Sequence, residues 1–175
     1  MKTDGFQLGM VLGDFWPQAK NHMAGLDIFT TLYEMNSSWR LHIRGQHEGG
    51  DYWPIMYEHY LDSRGIRDVV TLYGQVADMN QWYEQIDILL HPSMKESFCY
   101  ACAESASKGI PVICNEFYGS LDIWPKEWLY HTHNEAINMI QNPYQEGHLY
   151  RKWVEEHYPL DKMLLEIDEY IGLGL

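Results

Sequence analysis

Cysteine is scarce in this chain: three in 175 residues, at Cys99, Cys102 and Cys114. An odd number cannot all pair, which suits a reducing cytosol rather than a disulfide framework. Positive charge is scarce too. Lys and Arg total 12 against 25 Asp and Glu, for a formal charge of −13. That balance excludes a duplex nucleic-acid binder, which needs a basic face. It also means that a phosphate-bearing ligand must be held by local donors against an unfavourable overall field. No apolar run is long enough to cross a bilayer, and no basic segment followed by an apolar one opens the chain. The expectation is a soluble, cytoplasmic protein without an export signal. Repeats, low-complexity tracts and linkers are absent. The first strand runs into GDFWPQ instead of G-x-G-x-x-G, which sets a dinucleotide oxidoreductase aside.

What is there is enough for one domain with a full core. Hydrophobic residues make up 46%, charged residues 21% and aromatics 14%, with 7 Trp and 13 Tyr. Short apolar stretches alternate with helical patterns. Strands are expected at Gln7 to Leu12, Trp39 to Arg44, Val69 to Tyr73, Ile86 to Leu90 and Ile110 to Cys114, with a short edge strand at Trp128 to His131. Helices are expected at His22 to Met35 (N-capped by Asn21), Tyr52 to Ser63, and Asp78 (as cap) through Tyr83. Three more are expected at Asn134 to Ile140, Gln145 to Tyr158 and Asp161 to Ile171. That order predicts an α/β fold: a single Rossmann-like, doubly wound parallel sheet with helices on both faces. Early strands end near Gly13, Gly45 and Gly74, where a missing side chain lets backbone approach a ligand along that edge.

The stretch DILLHPSMKESFCYACAESASKGIPVICN, from Asp87 to Asn115, organises the rest. It reads as a buried strand, a tight loop, an amphipathic helix, a glycine stop and a second buried strand. With the helix opening after Glu96, the amides of Ser97, Phe98 and Cys99 would lack intrahelical partners and offer an anion site suited to a diphosphate. Glu104 would lie roughly 12 Å further along at 1.5 Å per residue, placed to accept two ribose hydroxyls. Glu96 could accept sugar hydroxyls. Each carboxylate also has a plainer reading: Glu104 as a solvated helix glutamate, Glu96 as an acid complementing the helix dipole. His91, before Pro92 at the strand's end, either touches the ligand or only closes the strand. The C-x-x-C of Cys99 and Cys102 reads as packing rather than redox or metal chemistry, because no second Cys or His pair stands at zinc spacing. His131 and His133, at the end of a short strand, read as structural rather than as two ligands of one ion.

HPSMKESFCYACAESASKGIPVI resembles the signature of the GT-B glycosyltransferases of the glycosyl-transferase group 1 (GT4-like) family: P-S, then E-x7-E, then A-x-G-x-P-V-I. Pro92, Ser93, Glu96, Phe98, Glu104, Ser105, Gly109, Pro111 and Val112 match. Gly13 to Asn21 resembles the family's glycine loop with a following Lys-Asn, Thr71 to Val76 its strand before the base pocket, and Tyr118 to Asp122 its G-x-x-E-like loop. The resemblance covers roughly residues 6 to 158 in order.

It implies that the whole chain, 1–175, is a donor-binding domain, the carboxyl-terminal half of a GT-B fold. The amino-terminal acceptor domain would be absent from this chain. Lys20 and Glu96 are the implied catalytic residues, Lys20 neutralising the diphosphate and Glu96 facing the donor sugar. Glu104 would hold the ribose and the amides of Phe98 and Cys99 the phosphate and sugar. Gly74 to Val76 would border the base, with Ser97, Gly13, Gly119 and His91 completing the donor site. The implied reaction is retaining transfer of a sugar from a nucleotide-diphosphate sugar, with no cofactor, and no metal since no D-x-D-like motif is present. As an isolated domain the chain is expected to bind nucleotide without efficient transfer. In a full-length enzyme, cytoplasmic or peripheral at the membrane, the amino-terminal domain would be its partner. The sequence departs from the family at Asp14, where Arg is usual, and at Ser97 and Cys99, where glycines are usual. The rival reading, given weight by Asp14, is a non-catalytic nucleotide or sugar-nucleotide binding module.

Overall fold

The computed structural model describes residues 4–11, 17–45, 52–74, 76–144 and 146–172. Gly13 and Asp14 lie outside the described residues. In chain order the elements are β1 (Phe6–Val11), α1 (Pro17–Lys20), α2 (His22–Met35), β2 (Trp39–Arg44), α3 (Tyr52–Ser63), β3 (Val70–Leu72), α4 (Met79–Tyr83) and β4 (Ile88–His91). There follow α5 (Tyr100–Ser107), β5 (Val112–Asn115), α6 (Ser120–Ile123), β6 (Leu129–Tyr130), α7 (His133–Gln141), α8 (Gly147–His157) and α9 (Leu160–Ile171).

The six strands form one sheet in the order β3-β2-β1-β4-β5-β6, and every neighbouring pair is parallel. The chain winds outward from β1 through β2 to β3, returns to lay β4 against the other side of β1, and winds outward again. That is the doubly wound, Rossmann-like order expected from the alternation of elements. β1 and β4 are latched at their starts. The Gln7 amide donates to Asp87 Oδ2 at 2.9 Å, and the Asp87 amide returns a bond to the Gln7 carbonyl at 2.8 Å.

Because strand side chains alternate, successive residues feed two separate cores. Ile88 and Leu90 of β4, with Ile113 of β5, pack with Leu26, Phe29, Leu32, Tyr57, Leu61 and Ile137 under α2, α3 and α7. Leu89, Val112 and Cys114 pack on the opposite face with Trp82, Cys102, Trp128 and Tyr150 under α4, α5 and α8. Each fully buried aliphatic side chain contributes about 1.5–3 kcal/mol, so neither face is dispensable. Two close approaches fix the second face. A Cβ on Gly9 would fall 2.5 Å from Ile86 Cδ1, and one on Gly147 would fall 2.2 Å from the Gly109 carbonyl oxygen.

Local signals explain most boundaries. Asp78 caps α4 by accepting from the Asn80 amide at 2.9 Å. Thr132 and Glu135 form a capping box at α7, which is why the His131–His133 stretch turns into a helix. α5 ends in a Schellman turn: Ile110 N–H bonds the Ser105 carbonyl, Gly109 N–H bonds the Ala106 carbonyl, and Gly109 takes φ +72. The Asn21 cap is not made: Asn21 sits at φ 50 without a side-chain bond to α2. The third strand is shorter than expected, since Arg67–Val69 tightens into a 3-10 turn before it.

The larger correction concerns α5. It begins at Tyr100, not after Glu96, and its N-cap is Cys99 in the left-handed conformation at φ 70. A left-handed residue breaks the helical ladder, so Glu96, Ser97 and Phe98 belong to the preceding loop. The axial spacing expected between Glu96 and Glu104 therefore does not apply.

Candidate functional site

Ligands of open α/β sheets bind beyond the carboxyl ends of the strands where the winding reverses. Here that point lies between β1 and β4. The loop leaving β4 is tied to the segment leaving β1: the Met94 amide and Ser93 Oγ both donate to the Ala19 carbonyl, at 2.8 and 3.0 Å. From β5, Asn115 Nδ2 donates to the Ser93 carbonyl at 3.1 Å. These bonds set Lys20, at the end of α1, against Glu96.

Lys20 and Glu96 form a hydrogen-bonded ion pair, and His91 Nε2 reaches the same carboxylate oxygen at 3.0 Å. Burial works against the charge on Glu96, yet hydrogen bonds and charge from His91 and Lys20 outweigh it and hold the carboxyl down at about 2. His91 is 2% exposed. Burial disfavours its imidazolium, but the adjacent Cys99 and Glu96 push its pKa well above the ordinary value. For Cys99, burial raises the thiol pKa, but the contacts of Cys102 and His91 outweigh it and hold it below the ordinary value. The Cys102 thiol, buried beside Cys114 and Cys99, is pushed up.

Glu104 stands on α5, solvent-exposed, and accepts from the Tyr83 hydroxyl at 2.9 Å. Tyr83 belongs to α4, whose start, with Tyr73, Val76, Ala77, Asp78, Gln81 and Trp82, borders an open hollow of about 520 Å³. Helix α4 thus links the expected base-binding stretch to the expected ribose carboxylate. Gly74 takes φ +61 with open space where a Cβ would stand, and its carbonyl accepts from the Gly45 amide at 2.9 Å. Gly119, at φ +85, is also open and precedes α6. A larger hollow of about 660 Å³, lined by Tyr83, Ser107, Lys108, Arg151 and Glu155 among others, lies towards the amino ends of β4 and β5.

The amides of Ser97, Phe98 and Cys99 make no hydrogen bond among the described residues. They are free donors as expected, but from a loop rather than from a first helical turn. The Phe98 ring turns away into an aromatic cluster, 5.3 Å from Trp124 and 5.0 Å from Tyr158. His131 pairs with Glu116 at 3.2 Å, while His133 opens α7; the two do not converge.

Two arrangements escaped the sequence reading. His42, buried in β2, bonds Gln7 Oε1 and the Tyr73 hydroxyl, each at 2.7 Å, a polar tie across the core that no local spacing announces. The second is that His91, Cys99 and Cys102 bring one nitrogen and two sulfurs within 4.8 Å of one another, all buried. The signal was H-x7-C-x2-C, a lone His at a strand end rather than a second pair.

The model of the family described as "Glycosyl transferases group 1" matches residues 7–137, well over half of the chain. The chain belongs to that family. Among curated proteins it is similar to Protein CapJ of Staphylococcus aureus, 20% identical over 123 residues, covering 69% of this chain and 30% of the relative. Its fold is similar to that of HepE from Anabaena in complex with UDP and glucose, with a TM-score of 0.83 at 16% identity, covering 97% of this chain and 48% of that one. It is similar also to the C-terminal domain of the group 1 glycosyl transferase LpcC from Francisella tularensis. There the TM-score is 0.65 at 18% identity, covering 91% of this chain and 86% of that domain. The chain spans under a third of the curated relative and about half of HepE. Among the described residues no helix is long and apolar enough to cross a membrane.

Proposed function

We propose that this chain is the donor-binding domain of a retaining glycosyltransferase that takes its sugar from a nucleoside diphosphate. The observation that carries the reading is the Lys20–Glu96–His91 constellation, set at the point where the sheet reverses its winding. The diphosphate lies against the free amides of Ser97 to Cys99 and against Lys20, which leaves part of its pairing with Glu96 to meet it. The loop amides are in place before the ligand arrives, so they meet charge developing on the leaving diphosphate without reorganisation. Glu96, kept ionised by Lys20 and His91, accepts hydroxyls of the sugar. Glu104, backed by Tyr83, accepts the ribose hydroxyls. The base enters the hollow beside Gly74 and Val76, over Trp82, whose buried indole N–H has no partner. No metal is needed for the diphosphate in this arrangement. Transfer requires an acceptor-binding domain seated opposite this edge.

UDP is the first nucleotide to test, since both HepE and the pneumococcal GtfA are described in complex with it. Titration calorimetry with UDP, GDP and ADP is expected to show binding of at least one. Glu104→Ala, on an exposed helix position, should weaken it by about 10- to 100-fold, the loss of a charge-assisted hydrogen bond of about 1.5–3 kcal/mol. No binding of any of the three at millimolar concentration, or an unchanged affinity in Glu104→Ala, would defeat the reading. The rival, a binding module without transfer, is separated by a transfer assay on the domain paired with its acceptor half.

A further inference from the structure

The cysteines lie on the face of the sheet under α5, and the register explains how they meet His91. His91 and Cys114 are Cα partners in β4 and β5, on the same alternation as Leu89 and Val112, so both point beneath the start of α5. Cys99 and Cys102 come down onto them from the helix, one residue as its N-cap and the other a turn later. All four are at most 5% exposed.

We propose that the side chains of His91, Cys99 and Cys102 form a binding site for a divalent cation of the zinc class, beneath the loop whose amides face the diphosphate. Three features point the same way. The three ligand atoms lie within 4.8 Å of one another. A tetrahedral ion with bonds of about 2.3 Å to sulfur and 2.0–2.1 Å to nitrogen sets its ligands about 3.6–3.8 Å apart, so closure asks only for side-chain adjustment. His91 is oriented as a metal-bound histidine is: its Nε2 is engaged by the Glu96 carboxylate at 3.0 Å, which leaves the buried Nδ1 on the side of the sulfurs, against Cys99. Finally, Cys99 keeps a side chain at φ 70, a conformation that costs a non-glycine residue of order 1–3 kcal/mol and that glycine adopts freely.

Two thiolates and an imidazole are soft to borderline donors, which select zinc-class ions over magnesium or calcium. Three protein ligands leave a fourth position open. The ion would pin the loop from Glu96 to Cys99 to the start of α5, so the cluster shapes the loop that presents the free amides.

The test is cobalt(II) titration of the reduced protein, followed by zinc displacement and metal analysis. The expected result is one cobalt per chain with a sulfur-to-cobalt charge-transfer band in the near ultraviolet, lost on adding zinc, and a raised Tm with either ion. Cys99→Gly, which suits the left-handed backbone and so keeps the fold, should lose the band and at least about 100-fold in affinity. Cys102→Ala, placed within a helix, should do the same, with circular dichroism checking that each variant is folded. No band from the reduced wild type at millimolar cobalt, or a band of undiminished intensity in Cys99→Gly, overturns the site. UDP titration of the metal-free protein is a separate readout, so failure of one reading leaves the other standing.

Discussion

The two faces of the sheet are built from different material. Under α2, α3 and α7 the core is chiefly Leu and Ile, filled by shape-tolerant side chains. Under α4, α5 and α8 it holds three tryptophans, two tyrosines and all three cysteines. That second face is also where polar atoms are left over: Nε1 of Trp82, Trp124 and Trp128 and the Tyr150 hydroxyl are buried without partners among the described residues. The contrast is one of filling: one face is closed chiefly by aliphatic side chains. The other gives up some hydrogen bonding to place broad rings and soft ligands beneath the loop that carries Glu96.

Substitutions on either face can break or sharpen that contrast. The largest effect is expected from Trp128→Ala, which removes a ring stacked 4.7 Å from Tyr150 and 5.8 Å from Trp124. A loss of about 3–5 kcal/mol in urea unfolding is expected. Leu41→Ala, its counterpart on the aliphatic side, should cost about 2–5 kcal/mol and leave UDP affinity unchanged. Next comes Gly147→Ala. Its Cβ would meet the Gly109 carbonyl at 2.2 Å, so α8 must move off α5 at about 1–3 kcal/mol, read from the urea midpoint. Thr132→Ala removes the α7 capping box on the aliphatic side and should cost about 1 kcal/mol. The smallest effect carries the opposite sign. Tyr150→Phe deletes a buried hydroxyl with no partner and should leave Tm unchanged or slightly higher. A clear drop in Tm would mean that the aromatic face is better satisfied than described.

How much of this was legible depended on whether the deciding interaction was local. Strand β2 and helices α2 and α3 begin and end where apolar spacing placed them, and the Asp78 cap of α4 is a bond between near neighbours. The doubly wound parallel sheet followed from alternation and handedness. The start of α5 did not, because Cys99 carries no outward sign of a left-handed backbone; a glycine there would have shown it. The Glu96–Lys20 ion pair was not anticipated: the resemblance put both residues in one site with separate roles, and 76 residues separate them. His42 with Gln7 and Tyr73, and His91 with the cysteines, are products of register, which a linear reading does not contain.

The position of β1 at the middle of the sheet has a consequence for how the chain matures. Its two neighbours arrive at very different times: β2 follows after α1 and α2, whereas Gln7 waits for Asp87, 80 residues later. At a synthesis rate of about 5–20 residues per second, that interval is about 4–16 s. Throughout it a hydrophobic strand bearing Leu8 and Met10 presents an unpaired margin to other nascent chains. Yield at elevated expression should therefore turn on how well that margin is shielded before β4 emerges.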